Sequence, residues 1–295
     1  MKTLLLLAMV ASAGIAHAQT YLGQWPANRA YDIAISPDNI VYVGAGYLRR
    51  YTTDGTLLPE GWNPQWTDDA AAFAIAPDGN VWETRQLTAA TGYNFDGSVV
   101  LGSWIMLDWT SHHEPSPGGI AVDALGRVCM LSNDLDKTRI EVRSQASAPI
   151  TVYFTTPGQG LAADQLGNLY VNDSEEHQIV EYSSSGAEVR RWGSAGSGPG
   201  QFNGSAGIAV APDGNVYVVD AGNYRVQIFT PEGAYVSQFG SEGTGDGQFT
   251  NAYSIAIGAD GVAYVTDAGT RVEKFGALPT AALTTSWGGL KARYR

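Results

Sequence analysis

Three of the four histidines and a few nearby acids are the residues best suited to proton transfer or metal binding. His112, His113 and Glu114 are contiguous, and His177 closes the run Asp173-Ser174-Glu175-Glu176-His177. A zinc site needs three or four ligands converging from separate elements. The side chains of His112 and His113 diverge as neighbours, so a metal would require their loop to meet the one bearing His177. No metal and no cofactor are therefore expected. Nucleophilic catalysis is no better served. The chain has no Gly-x-Ser-x-Gly elbow, and its single cysteine, Cys129, lies within an apolar run as a small buried residue. An intrachain disulfide is impossible. Binding chemistry is better represented. One segment holds Trp62, Trp66, Asp68 and Asp69, and another holds Trp104, Trp109, His112 and His113. Indole rings grip sugars, rings and partner side chains. The candidate ligand-binding set is Trp62, Trp66, Trp109, His112, His113, Asp173 and His177, with no catalytic residue assigned.

These residues must be positioned by a scaffold, and the scaffold repeats. A β-rich run, a Gly- or Asn-containing turn and a second β-rich run recur six times. The turn residues are Asn39, Gly79, Gly126, Gly167, Gly214 and Gly261. The apolar residues opening each first run are Ile33, Phe73, Ile120, Leu161, Ile208 and Ile255, in the same register. The fifth unit is the clearest. Strands are expected over Gly207 to Val210, Asn215 to Asp220, Arg225 to Thr230 and Ala234 to Gly240. Pro212-Asp213-Gly214 and Pro231-Glu232-Gly233 turn between them, Pro presetting φ and Gly accepting positive φ. Four short strands every ~40–45 residues read as a propeller blade. The expected fold is all-β: a six-bladed β-propeller of four-stranded antiparallel blades. The sixth unit lacks an obvious fourth strand after Phe275. Tyr21-Leu22-Gly23-Gln24-Trp25 resembles the fourth strands Val189 to Gly193 and Val236 to Gly240, so the N-terminal strand is expected to close the last blade and remove its free edge.

The phrase Pro212 to Asp220, followed by Asn223-Tyr224-Arg225-Val226-Gln227, resembles the NHL repeat. The linkers Gly198-Pro199-Gly200-Gln201-Phe202 and Gly245-Asp246-Gly247-Gln248-Phe249 carry the same resemblance. It implies a six-bladed propeller and fixes no function, because the fold hosts unrelated activities. His177 falls where NHL repeats often carry His, at the position of Tyr224. Residues 173 to 179 also resemble a zinc-ligand segment of the peptidyl-hydroxyglycine amidating lyase. That enzyme's other zinc histidines precede the first strands of blades; here those positions read Gly118-Gly119, Gln159-Gly160, Ala206-Gly207 and Tyr253-Ser254, so its zinc cage is missing. Propeller hydrolases of the gluconolactonase and paraoxonase type hold calcium with carboxylates and amides at the channel mouth. The corresponding residues are Asp32, Ala72, Gly119, Gly160, Gly207 and Ser254. One carboxylate is too few for a cation that takes six to eight oxygens.

Residues 1–18 read as a secretory signal: Lys2, an apolar centre from Leu4 to Val10, and Ala16-His17-Ala18 as the cleavage site. The apolar stretch is short for a membrane span, and the mature chain offers no other. Residues 19–276 are read as the propeller. Residues 277–295, ending Trp287-Gly288-Gly289-Leu290-Lys291-Ala292-Arg293-Tyr294-Arg295, form a tail that sorts, anchors or simply packs on the wall. The formal charge is −12. An acidic surface repels phosphate, which disfavours nucleic acid. The expectation is a secreted or periplasmic monomer, its signal cleaved after Ala18, that binds a protein, peptide or carbohydrate on the face where the inter-blade linkers lie. The alternative is a hydrolase or lyase using His112, His113, His177 and nearby carboxylates.

Overall fold

The computed structural model describes residues 19–45, 47–59, 70–85, 89–94, 100–105, 116–133, 138–144, 147–154 and 158–276. Among these residues the chain forms five four-stranded antiparallel sheets, one three-stranded sheet and a two-stranded ribbon. Numbered by chain order of their innermost strands, the fourth sheet holds Gly158–Ala163, Leu169–Asp173, Gln178–Tyr182 and Glu188–Trp192. The fifth holds Ser205–Val210, Val216–Asp220, Arg225–Phe229 and Tyr235–Phe239. These agree with the repeat register to within two residues at each end. The first sheet shows three strands, Asp32–Ile35, Val41–Ala45 and Tyr47–Tyr51. Its expected fourth falls mostly outside the described residues.

The turn chemistry carries through. All six turn markers have positive φ: Asn39 at 63°, then Gly79, Gly126, Gly167, Gly214 and Gly261 between 72° and 87°. This left-handed conformation is one that only Gly, and to a lesser degree Asn, adopts readily. In the fifth sheet Gly214 N–H donates to the Ala211 carbonyl and Ala211 N–H to the Asn215 carbonyl, each at 2.9 Å.

The sixth sheet is completed from the far end of the chain. Thr20–Ala30 pairs antiparallel with Gly269–Gly276, outside Ala263–Asp267 and Ala252–Ile257. Trp25 takes the place that Trp192 has in the fourth sheet. Each indole lies against a turn glycine, Gly55 under Trp25 and Gly233 under Trp192. A Cβ there would come within 2.7 Å and 2.8 Å of the ring.

The innermost strands of consecutive sheets lie side by side, and that of the sixth contacts that of the first. The approach is close. A Cβ on Gly160 would sit 2.6 Å from the Ala206 carbonyl oxygen, and one on Gly207 would sit 2.7 Å from Ser254 Cα. This explains the small residues at the starts of these strands: their size sets the inter-sheet spacing. Gly160→Val forces backbone apart and is expected to cost about 1–3 kcal/mol, measurable as a fall in denaturation midpoint. An unchanged midpoint would contradict this packing.

Candidate binding site

Which end of the strands carries the site follows from hydrogen bonds. Turns joining second and third strands touch the linkers between sheets. Gly222 N–H donates to the Asn203 carbonyl (2.8 Å), and Ala268 N–H to the Asn251 carbonyl (2.9 Å). Asn223 Nδ2 donates to the Gly196 carbonyl at 2.9 Å. The linkers, these turns and the starts of the innermost strands therefore share one face, as strand parity requires.

Asp173 and His177 lie on that face as parts of the repeat. His177 has φ 55°, and its counterparts Tyr224 and Ala268 have 54° and 52°. The position is a left-handed turn in all three of these sheets, whatever residue occupies it. His177 is half-buried, and its Nδ1 is buried with no hydrogen-bond partner. Asp173 is buried and accepts the Glu176 N–H at 3.0 Å, in the place of Asp220 and Asp267. Those two are structural hubs. Asp220 accepts Arg225 Nε (2.8 Å), Gln227 Nε2 (3.0 Å) and Asn203 N–H (2.8 Å). Asp267 accepts Arg271 Nη2 (2.7 Å), Asn251 N–H (2.7 Å) and the Thr250 hydroxyl (3.1 Å). Trp62, Trp66, Trp109, His112 and His113 lie outside the described residues. Among the described residues no group of three or more His, Cys, Asp or Glu is placed to hold a metal ion.

A cavity of about 580 Å³ opens among the six innermost strands. At its linker-face mouth stand Tyr31, Asp32, Gln159, Tyr253 and Ser254. Tyr31 and Tyr253 meet edge to face, with centroids 5.2 Å apart and planes at 76°. Tyr31 is 47% exposed and rests on Gly269. Asn251 Nδ2 fixes the Tyr253 hydroxyl at 2.7 Å. Of the described residues lining the cavity, Asp32 is the only carboxylate. It spans three sheets. Its Oδ1 accepts Ile33 N–H (2.9 Å) and the Ser254 hydroxyl (2.7 Å), and its Oδ2 accepts Phe73 N–H (2.9 Å). Burial raises its pKa, and these three hydrogen bonds oppose that rise. With most of its lone pairs already used and small residues around the ring, Asp32 is a staple between sheets. The described residues do not form a calcium cage of the gluconolactonase kind.

Sequence reasoning compared the positions of Asp32, Gln159 and Tyr253 with metal-ligand patterns and passed over Tyr31. The usable signal was different: bulky aromatics at two of the six equivalent positions, in the first and last units. These become neighbours only when the ring of strands brings residue 31 beside residue 253.

Comparison with known proteins agrees with the architecture. The NHL repeat model matches residues 202–229, so the chain carries an NHL repeat there. No curated protein matches in sequence. Among solved structures, a streptogramin B lyase superposes with a TM-score of 0.63 at 11% identity, covering 87% of this chain and 98% of that one. A catalytically inactive virginiamycin B lyase from Staphylococcus aureus with quinupristin gives 0.59 at 16%, covering 84% and 82%. A putative gluconolactonase gives 0.61 at 14%, covering 87% and 91%. The fold is thus all-β and of the propeller type, with an NHL repeat in its fifth sheet. At these identities the likeness speaks to fold alone.

Proposed function

We propose that the chain is an exported, six-bladed NHL-type propeller that binds a ligand at the linker-face mouth of its central cavity without turning it over. The observation that carries this reading is the mouth itself: an aromatic pair, exposed Tyr31 and half-buried Tyr253, beside Gln159 and the single carboxylate Asp32. Aromatic edges and faces with a few polar groups suit a sugar ring or a peptide side chain. The net negative charge disfavours anionic ligands. A protein, peptide or carbohydrate fits, and a preformed scaffold keeps the ordering cost of binding low. Export follows the leader-like residues 1–18, and among the described residues no helix is long and apolar enough to cross a membrane.

The test is a binding panel of neutral oligosaccharides and lysine-bearing tripeptides, run on the full mature chain and on Tyr31→Ala. The expected result is measurable binding by one class, weakened roughly tenfold in the variant, since an aromatic contact is worth about 1 kcal/mol or more. Equal affinity in both proteins would overturn the site.

A second reading, a lyase or hydrolase working through His112, His113, His177 and nearby carboxylates, is favoured by the names of the structural neighbours, two lyases and a putative gluconolactonase. Quinupristin distinguishes the two. The binding reading expects it to be recovered intact by mass spectrometry after long incubation; conversion would favour the enzyme.

A further inference from the structure

The fifth and sixth sheets carry one polar network twice, with a single informative difference. In the fifth, the amide of Gln227 completes the hub. Gly200 N–H donates to Gln227 Oε1 (2.9 Å), and Gln227 Nε2 donates to the Gln201 carbonyl (2.7 Å) and to Asp220 Oδ2 (3.0 Å). Arg225 balances Asp220, so the hub holds one cation and one anion. In the sixth sheet Glu273 occupies the Gln227 position. Gly247 N–H donates to Glu273 Oε2 at 3.1 Å, as Gly200 does to the glutamine. The other oxygen, Oε1, stands where the glutamine amide nitrogen would be.

That swap adds an acid to a network already balanced. Arg271 is engaged by Asp267 through Nε (3.0 Å) and Nη2 (2.7 Å), and Nη2 also donates to the Gln248 carbonyl (2.6 Å). Glu273 Oε1 lies 3.1 Å from the same Nη2 without a hydrogen bond of its own. Asp267 and Glu273 are both fully buried. Two buried carboxylates thus share one guanidinium, the arrangement in which one of the two keeps its proton. The other facing groups do not relieve it. Asp246, on the linker, is a third acid. Tyr21, from the N-terminal strand, donates its hydroxyl to Asp246 at 3.2 Å. Burial, and then Asp267 and Asp246, push the Glu273 carboxyl up to about 7 against the opposing pull of Arg271 and the Gly247 N–H.

The location matters because Glu273 lies on the strand that receives the N-terminal strand, directly opposite Gln24. We propose that Glu273 is a proton-linked latch: protonated, it mimics the glutamine of the neighbouring sheet, and its ionisation loosens the pairing of Thr20–Ala30 with Gly269–Gly276.

The sign follows from linkage. A carboxyl that holds its proton more tightly in the folded than in the unfolded state favours folding at low pH. That stability is lost as pH rises from the ordinary Glu range through about 7. Burial also raises the carboxyls of Asp32 and Glu181, so the readout is a difference between variants. Melting temperatures are measured from pH 5 to 8 for the full mature chain, Glu273→Gln and Gln227→Glu. Relative to Glu273→Gln, the wild type is expected to lose roughly 5 °C across this range, and Gln227→Glu to acquire a similar fall. Parallel profiles for wild type and Glu273→Gln would overturn the latch. So would a wild type that gains on the variant with rising pH, because that is the signature of an Arg271 ion pair outweighing the extra charge. Should Gln227→Glu not fold, hydrogen exchange decides. Amides of Thr20–Ala30 are expected to lose protection relative to the fifth sheet as pH rises in wild type and not in Glu273→Gln; the same behaviour in both proteins contradicts the proposal.

Discussion

A chain lacking residues 19–25 melts at least 15 °C below the intact mature chain, or does not fold. The reason is that these residues supply most of the outer strand of the sixth sheet. Their removal exposes the backbone edge of Gly269–Gly276, which offers unpaired donors and acceptors to other chains. It also removes Trp25, which is 7% exposed and packs against Tyr51 and Tyr264 with centroids 6.0 Å away in each case. Trp25→Ala alone is expected to cost about 3–5 kcal/mol, out of a total stability of order 5–15 kcal/mol for an ordinary domain. Tyr21, edge-on to Phe275 at 5.9 Å, is lost as well. Differential scanning calorimetry at two protein concentrations measures the effect and detects association through the open edge. An unchanged melt would mean that the ring does not depend on its terminal strand.

Asp267→Ala is expected to be nearly as damaging, at about 3–5 kcal/mol. The carboxylate is fully buried and gathers Arg271, the Thr250 and Asn251 amides and the Thr250 hydroxyl. Alanine removes the hydrogen-bonded partner of a largely enclosed guanidinium, leaving it only Glu273, and strands two backbone donors. Most of this cost is that of leaving partners unsatisfied, not the net worth of the pair. The double variant Asp267→Ala with Arg271→Met should therefore cost less than Asp267→Ala alone. Urea denaturation of the three proteins checks this, and additive losses would contradict it. Asp220, with Arg225, is expected to behave alike because it is the same hub one sheet earlier.

Much of this framework was legible in the chain before any coordinates. The turn markers from Asn39 to Gly261 declared themselves because positive φ restricts residue choice. The pairing of Tyr21-Leu22-Gly23-Gln24-Trp25 with the last sheet was readable because Trp25 repeats the Trp192 pattern. The ion pairs Asp220–Arg225 and Asp267–Arg271 sit at recurring positions of the repeat. Less legible was the site. Tyr31 and Tyr253 are 222 positions apart, as are Asp32 and its Ser254 donor. Nothing local marks them as partners until the strands close on themselves. The parallel ribbon of Ser194–Ala195 with Gln201–Phe202 was also missed. Its strands are two residues long, and their role is to seat Phe202, which is fully buried, against Gly193. The sequence motif around Gln201-Phe202 was visible, but motif recurrence alone does not reveal that the aromatic plugs the space beside its own sheet. Glu273 escaped notice for a related reason: an acid in place of Gln227 looks like ordinary surface variation until both prove buried.

Isoleucine methyl groups report on the proposed mouth most directly. Ile33, Ile120, Ile208 and Ile255 line the cavity, whereas Ile140, Ile179 and Ile228 are buried elsewhere in the sheets. Methyl NMR spectra of the full mature chain are recorded while titrating the neutral oligosaccharide or lysine tripeptide that binds in the panel. Shifts concentrated at Ile33, Ile120, Ile208 and Ile255, and much smaller in Tyr31→Ala at the same subsaturating ligand concentration, are the predicted result. Shifts confined to Ile140, Ile179 and Ile228, or identical in the variant, would contradict a binding site at the axis of the wheel.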